Sequence, residues 1–293
     1  MEDASTQSER PFASVLVRAH DDAKFVSRTL EAVFAQETDF PFEVVVCDDA
    51  STDGTREAAA RFPVRFAGRP AGRYVPGRTL NALVRAARGE IAVFDNADAV
   101  PCDSRWLAEL VRPLRESPDG RVFAFANQLP RPDALAVVRR DSERAFGDGR
   151  VQATWRFFFS LASAATWRGL LLESPFDENI RYSEDVEWTW RHSRGKNPVR
   201  VVYCPEARVE HSHDYTLREL ARRFRGEGAA DREIFGDRPS LAREIAGAAR
   251  ETLRDWAYLA ARPRSWAEIP AAPVRRLVQR AAHWRGVKSG FAP

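Results

Sequence analysis

The chain has 293 residues, 44% of them hydrophobic and 30% charged, with a formal net charge of +3. That length can bury one large core with a further helical part, and so small a net charge gives nucleic acid little electrostatic reason to bind. No apolar run reaches the roughly 18–20 residues that cross a bilayer, and the polar, acidic opening "MEDASTQSER" lacks the apolar core of a signal peptide.

Residues 1–10 are expected to be a flexible N-terminus. "ASVLV" (13–17) then predicts a buried strand, and the helix after it sets Val26, Leu30, Val33 and Phe34 on one face. "FEVVVC" (42–47) predicts a second strand. The turn-forming "DDASTDGT" leads into a short helix, "REAAARF", and a weaker strand, "VRF" (64–66). "RTLNALVRAARG" is a helix closed by Gly89. "IAVF" (91–94) is the next strand. "DSRWLAELVRPLRES" is a helix with Trp106, Leu107, Leu110, Val111 and Leu114 in one stripe and Asp103 or Ser104 as its N-cap. "RVFAFA" (121–126) and "VRVVYC" (199–204) are strands, separated by an irregular stretch rich in aromatics, "WRFFFSLASAATW" included. From about residue 215 the pattern is helical and basic. Cys47, Cys102 and Cys204 fall in no CxxC spacing, which predicts neither disulfides nor a zinc knuckle and agrees with a cytoplasmic setting.

Strand–helix alternation of this kind predicts an α/β domain with a mostly parallel central sheet covered by helices. Ligands of such sheets bind at the carboxyl ends of the strands. Two acidic clusters fall at that edge: Asp48 and Asp49 after the second strand, and Asp95 and Asp98 after the fourth. A carboxylate there can receive a nucleobase N–H or hold a cation, or it can simply cap a turn. No GxGxxG or GxxxxGK[ST] loop is present, so neither a Rossmann dinucleotide site nor a P-loop is supported.

Glu184 and Asp185 open a helix in "RYSEDVEWTWR", where acidic residues suit the helix dipole. In an aromatic pocket such an aspartate would have a raised pKa and could serve as general base toward a hydroxyl. His211 and His213 stand two apart, so on a strand they share a face. Without a cysteine they make no zinc site, but one histidine beside a carboxylate and phosphate oxygens suits Mg²⁺ or Mn²⁺. The tail "APVRRLVQRAAHWRGVKSGF" is basic without an acid, and Val274, Leu277, Val278 and Ala281 form an apolar face. The favoured reading is a helix packed on the domain; peripheral contact with anionic lipid at the inner face of the membrane is the second.

Taken in order, these segments resemble a known family, the inverting GT-A glycosyltransferases of family 2, nearest to bacterial rhamnosyltransferase-like members. The resemblance runs over roughly residues 12–228, through "SVLVRAHDDAKFVSRTLEAVFAQ", "FEVVVCDDASTDGT", "PGRTLNALVRAARGEIAVFDNADAVPCDSRWLAELV", "ESPFDENIRYSEDVEWTWR" and "VEHSHDYTLRELARRF". It implies a GT-A catalytic domain over 11–214 with a helical C-terminal extension over 215–293. It further implies transfer of a sugar from a nucleotide-diphosphate donor to a glycan, lipid-linked or small-molecule hydroxyl, with Mg or Mn as cofactor. Carried over by position, Asp49 receives the nucleobase, with Asp21 and Arg18 beside the nucleoside. Arg78, Asn81 and Asn96 lie on the donor side, and Asp98 and His213 on the metal. Asp185 is the general base, with Glu184 next to it.

The family's Asp-x-Asp is here Asn96-Ala97-Asp98, a departure that weakens the expected metal site. It also leaves room for a non-catalytic sugar-nucleotide-binding or scaffold protein of the same fold, and a homo-oligomer is compatible with either reading. A hydrolase using Glu184 and Asp185 is disfavoured, because adjacent side chains diverge and poorly span the roughly 5–10 Å between paired catalytic carboxyls.

Overall fold

Alternate residues of the apolar runs face opposite sides of a single eight-stranded sheet. Val15, Val17, Val44, Val46 and Val93 bury themselves on one side, and Leu16, Val45, Cys47, Ala92 and Phe94 on the other. A computed structural model of the chain describes residues 10–117, 119–149, 160–194, 196–236 and 238–291. The expected flexible N-terminus, Arg10 apart, and the aromatic stretch 155–159 lie outside the described residues.

The strands are β1 (Ala13–Ala19), β2 (Phe42–Asp48), β3 (Arg65–Phe66), β4 (Ile91–Asn96), β5 (Val100–Pro101), β6 (Val122–Leu129), β7 (Ser163–Trp167) and β8 (Arg200–Glu210). Their order across the sheet is β3-β2-β1-β4-β7-β6-β8-β5. All run in one direction except β7, antiparallel to β4 and β6, and β5, antiparallel to β8.

Helices α1 (Val26–Phe34) and α4 (Trp106–Arg115) cover the first face. Each does so with a stripe at helical spacing: Val26, Thr29, Leu30 and Val33 on α1, and Trp106, Leu107, Leu110, Val111 and Leu114 on α4. The N-cap position of α4 is Arg105 rather than Asp103 or Ser104; Asp103 instead accepts the Arg105 N–H at 3.0 Å, so its carboxylate closes the turn just before the helix. The short α2 (Thr55–Ala59) follows β2. On the second face lie α3 (Pro76–Ala86), α6 (Arg168–Glu173) and α7 (Glu184–His192), the last burying Trp188 against Phe123 and Phe176. The stretch that reads as irregular in sequence holds α5 (Ala136–Phe146), β7 and α6.

Three long helices complete the chain: α8 (Leu217–Phe235), α9 (Leu241–Ala260) and α10 (Ala271–Ser289). Thr216 and Glu219 form a capping box on α8. α8 and α10 approach closely at Gly228 and Gly286, where any side chain would run into the backbone carbonyls of His283 and Arg225. α5 is fastened to α9 and α10 by buried charge. Arg140 donates to Asp255 and Glu251, each at 2.8 Å. Arg276 donates to Asp255 at 2.7 and 2.8 Å and to Asp141 at 2.8 and 2.9 Å.

Candidate active site

Strands β1, β2, β4 and β6 end at the same edge of the sheet, and the chain leaving each of them contributes polar groups there. β1 places Arg18 opposite Asn96 of β4 in the ladder. Its guanidinium donates to Glu184 Oε1 at 3.0 Å, to Asn96 Oδ1 at 3.2 Å and to the Tyr74 hydroxyl at 3.2 Å. Asp21, just past β1, accepts the Thr52 N–H at 2.8 Å, while its own N–H meets Ser51 Oγ at 3.0 Å. The loops after β1 and β2 are thereby tied together. Among the described residues, the non-glycine residues at positive φ are Asp21 (54°), Ala50 (57°) and Ser183 (57°), and all three belong to segments that frame this edge. Such backbone costs about 1–3 kcal/mol per residue and persists where the surroundings enforce it.

Ser183 directs Glu184 and Asp185 into the first turn of α7. Glu184 is buried and held by Arg18. Asp185 accepts the Val186 N–H at 2.9 Å and the Leu161 N–H at 3.4 Å. Burial and then the Glu184 charge push its carboxyl up from the ordinary aspartate range toward neutrality, against those two N–H groups and Arg18.

The second cluster is built by β4, β5 and β8. Asp98 lies in the tight turn between β4 and β5, with Ala99 N–H on the Asn96 carbonyl at 2.9 Å. β5 pairs with β8, Val100 against Glu210, so Asp98 arrives beside the residues that follow β8. His211 Nε2 stands 3.6 Å from Asp98 Oδ1, and His213 Nε2 stands 3.6 Å from Asp98 Oδ2. The three donor atoms lie within 4.8 Å of one another. Gln128 Oε1 faces His211 Nδ1 at 2.9 Å, so Nδ1 carries the proton and Nε2 presents its lone pair, buried and without a hydrogen-bond partner. Burial lowers the His211 pKa to about 4 and also lowers that of His213, Asp98 pulling the other way in both; the imidazoles are neutral at pH 7. Burial opposes the charge of Asp98, but His211, His213 and Arg131 outweigh it and hold the carboxyl below its usual range. One carboxylate and two neutral imidazoles, one with an orphaned ring nitrogen, form a donor set that suits a divalent cation.

Two cavities meet at these groups. One, of about 780 Å³, is lined by Arg18, Tyr74, Asn96, Glu184 and Asp185 and bounded by α8. The other, of about 690 Å³, lies among α5, α8, α9 and α10. Asp185, His211 and His213 line both.

Of the residues singled out in sequence, Arg18, Asn96, Glu184, Asp185, Asp98 and His213 are thus gathered in one region, with Asp98 beneath the imidazoles. Asp49 and Asp21 sit at the neighbouring strand exits and do not line the cavity. Asp49 is engaged by Arg69 at 2.6 Å. Arg78 and Asn81 stand apart on α3. The Asn81 side chain clasps the Phe176 backbone at 3.0 Å in both directions and reaches Glu178 at 3.1 Å, while Arg78 pairs with Glu178 at 3.7 Å. Sequence reasoning set His211 on one face with His213 but gave only His213 to the metal, whereas both stand at Asp98. It missed Arg131 and Tyr74, for which the sequence carries no local signal.

A family model, glycosyl transferase family 2, matches residues 14–156. The O-antigen chain rhamnosyltransferase WbaN of Salmonella anatum is 27% identical over 234 residues, 75% of this chain and 71% of that protein. The O-antigen chain rhamnosyltransferase RfbN of Salmonella typhimurium is 26% identical over 257 residues, 82% and 78% of the two chains. Among solved structures, the mannosyltransferase PcManGT of Pyrobaculum calidifontis, in complex with GDP-Man and Mn²⁺, is similar with a TM-score of 0.63 at 21% identity. That match covers 94% of this chain and 88% of the other.

Proposed function

We propose, for a chain whose residues 14–156 are a glycosyl transferase family 2 domain, an inverting glycosyltransferase of bacterial polysaccharide synthesis that moves a sugar from a nucleotide-diphosphate donor to an acceptor hydroxyl. The observation that carries this reading is the position of Asp185. Its carboxyl stands where the two cavities meet, is tuned toward neutral pH, and shares both walls with His211 and His213. The donor occupies the cavity floored by Arg18 and Asn96, with its nucleoside toward Asp49 and Asp21. The acceptor enters through the cavity among α5 and α8–α10.

Asp185 takes the proton of the acceptor hydroxyl as that oxygen attacks the anomeric carbon, and the donor's bond to the diphosphate breaks in the same displacement. A single displacement inverts the configuration. Glu184 serves as a positioning residue, because its carboxylate is committed to Arg18. Asp98, His211 and His213 would hold Mg²⁺ or Mn²⁺, which supplies Lewis-acid stabilisation of charge on the leaving diphosphate.

Peripheral attachment to anionic lipid belongs to the same reading. A groove between α8 and α10 has a floor of Ala221, Val278, Ala281 and Ala282 and a rim of Arg218, Arg222, Arg225 and Arg285. Leu217, Val274 and Leu277 are exposed on these same two helices. Arg222 and Arg225 also line the donor cavity.

The test is Asp185→Asn. Transfer to acceptor is expected to fall by about 10²–10⁴-fold with nucleotide affinity unchanged, measured by turnover and by calorimetric titration with UDP, GDP, dTDP and CDP. Wild-type turnover in the variant would overturn the assignment.

A further inference from the structure

Asp98 has a partner that is itself a cation. Arg131 follows β6 by two residues, and its side chain is only 13% exposed. Its guanidinium donates to the Asp98 backbone carbonyl at 2.8 Å, to Asp98 Oδ2 at 3.2 Å, and to the carbonyl of Ser212, between the two histidines. The Arg131 N–H donates to Ser212 Oγ at 3.0 Å, and the guanidinium lies 4.0 Å over the Phe25 ring. The placement comes from the sheet. β6 and β8 are parallel with Leu129 opposite Glu210, and His211 N–H bonds the Leu129 carbonyl at 2.9 Å, so the chains leaving both strands travel side by side.

A divalent ion arriving alone meets a single carboxylate already shared with a guanidinium, plus two neutral imidazoles. The other position where a first acid would stand is Asn96, and its Oδ1 accepts from Arg18. Asp98 and Arg131 together carry no formal charge, so the cluster offers a bare cation ligands but little net attraction, and Arg131 repels it. A diphosphate brings both oxygen ligands and the missing negative charge.

We propose that Arg131 is a resident counter-ion of Asp98 that keeps divalent-cation affinity low until the nucleoside diphosphate is present. This rests on the donor-site reading above. Cation and nucleotide then favour each other's binding, and by linkage the enhancement is the same in both directions. The missing acid of the metal motif becomes, on this view, half of a charge arrangement whose other half is Arg131.

The experiment is Mn²⁺ binding to the full chain, followed by the electron paramagnetic resonance signal of free Mn²⁺, with and without each of UDP, GDP, dTDP and CDP. Arg131→Gln is expected to tighten nucleotide-free Mn²⁺ binding by about tenfold or more and to shrink the nucleotide's enhancement. Arg131→Lys, which keeps the charge without the planar fork, should stay within about twofold of wild type. Arg131→Met keeps an apolar stem over Phe25 and stands in for glutamine if that variant does not fold by circular dichroism. Unchanged or weaker nucleotide-free binding in the folded neutral variants would overturn the proposal, because Arg131 would then only anchor the segment. Equal tightening in Arg131→Lys would overturn it too. If no nucleotide binds under any condition, the donor reading fails, while the nucleotide-free measurement still decides the role of Arg131.

Discussion

Asp185 is held by two backbone N–H groups yet pushed toward neutrality by burial and by Glu184, so its environment sets function against stability. As the proposed general base, Asp185 works only when ionised. Turnover is therefore expected to rise with pH through the raised Asp185 value and to level off above it; a flat pH–rate profile between about pH 5 and 8 would remove Asp185 from the reaction. The stability consequence has the opposite sign. A carboxyl whose folded pKa exceeds its unfolded value, about 3.9, contributes stability below that value and loses it as pH rises through the folded one. Asp185→Asn should thus melt a few degrees higher than wild type at about pH 8 and show little difference at about pH 5.

Asp95 follows the same rule without a catalytic role. It is buried on β4 opposite Ser163, and burial, with Asp98 adding to it, keeps its carboxyl well above the usual range despite Ser163. Asp95→Asn, nearly isosteric, is expected to be neutral in acid and stabilising above neutral pH, read from urea unfolding at both ends. The difference between Asp95 and Asp98 could be read only in part from sequence. The period-two pattern separates them, but which one meets the histidines depends on β5 pairing with β8, a contact between residues more than a hundred positions apart.

At the scale of elements, the helices of the first 126 residues follow from periodicity because each packs an apolar face on the sheet, and the strands from short apolar runs buried on both sides. The two-residue β5 carries no such signal. α5, β7 and α6 escape it for a physical reason. α5 buries Arg140 along with Ala136 and Val137, so its inner face is partly charged and shows no apolar stripe. β7 is only five residues long and largely small, "SAATW". What holds α5 is the lattice of Arg140, Arg276, Glu251 and Asp255. Removing one member of a buried charge network leaves its partners without compensation. Asp255→Ala is therefore expected to cost about 3–5 kcal/mol in unfolding free energy. A loss under about 1 kcal/mol in a urea titration would mean that the lattice is solvated and that apolar packing alone seats the helix.

Across the whole molecule, the division of labour runs along the sheet edge. The sheet delivers Arg18, Asn96, Asp98 and the two histidines, and the three C-terminal helices close the space over Asp185. Of this set the family resemblance in sequence named Arg18, Asn96, Asp98 and His213, each at or just past a strand end, and not His211. It assigned nothing to the helical part, where the cavity wall is assembled from charged residues on four helices. No described helix is long and apolar enough to cross a membrane; the attachment proposed above is through the α8–α10 groove. Arg218→Glu combined with Arg222→Glu is expected to weaken binding to phosphatidylglycerol vesicles by roughly tenfold or more, and salt should do the same. Phosphatidylcholine vesicles provide the comparison. Equal binding to both vesicle types would show that charge is not what the groove reads.

The lattice under α5 also defines what can be exchanged between relatives. Arg140 and Asp141 belong to a segment inserted between two sheet strands, whereas Glu251, Asp255 and Arg276 belong to the final helices. A chimera that swaps only the last three helices would bring acids and arginines with no guarantee of matching α5. On the acceptor reading proposed above, the unit that would carry acceptor choice is therefore discontinuous: α5 has to travel with α9 and α10, so a new specificity would need separated stretches exchanged together rather than a traded tail.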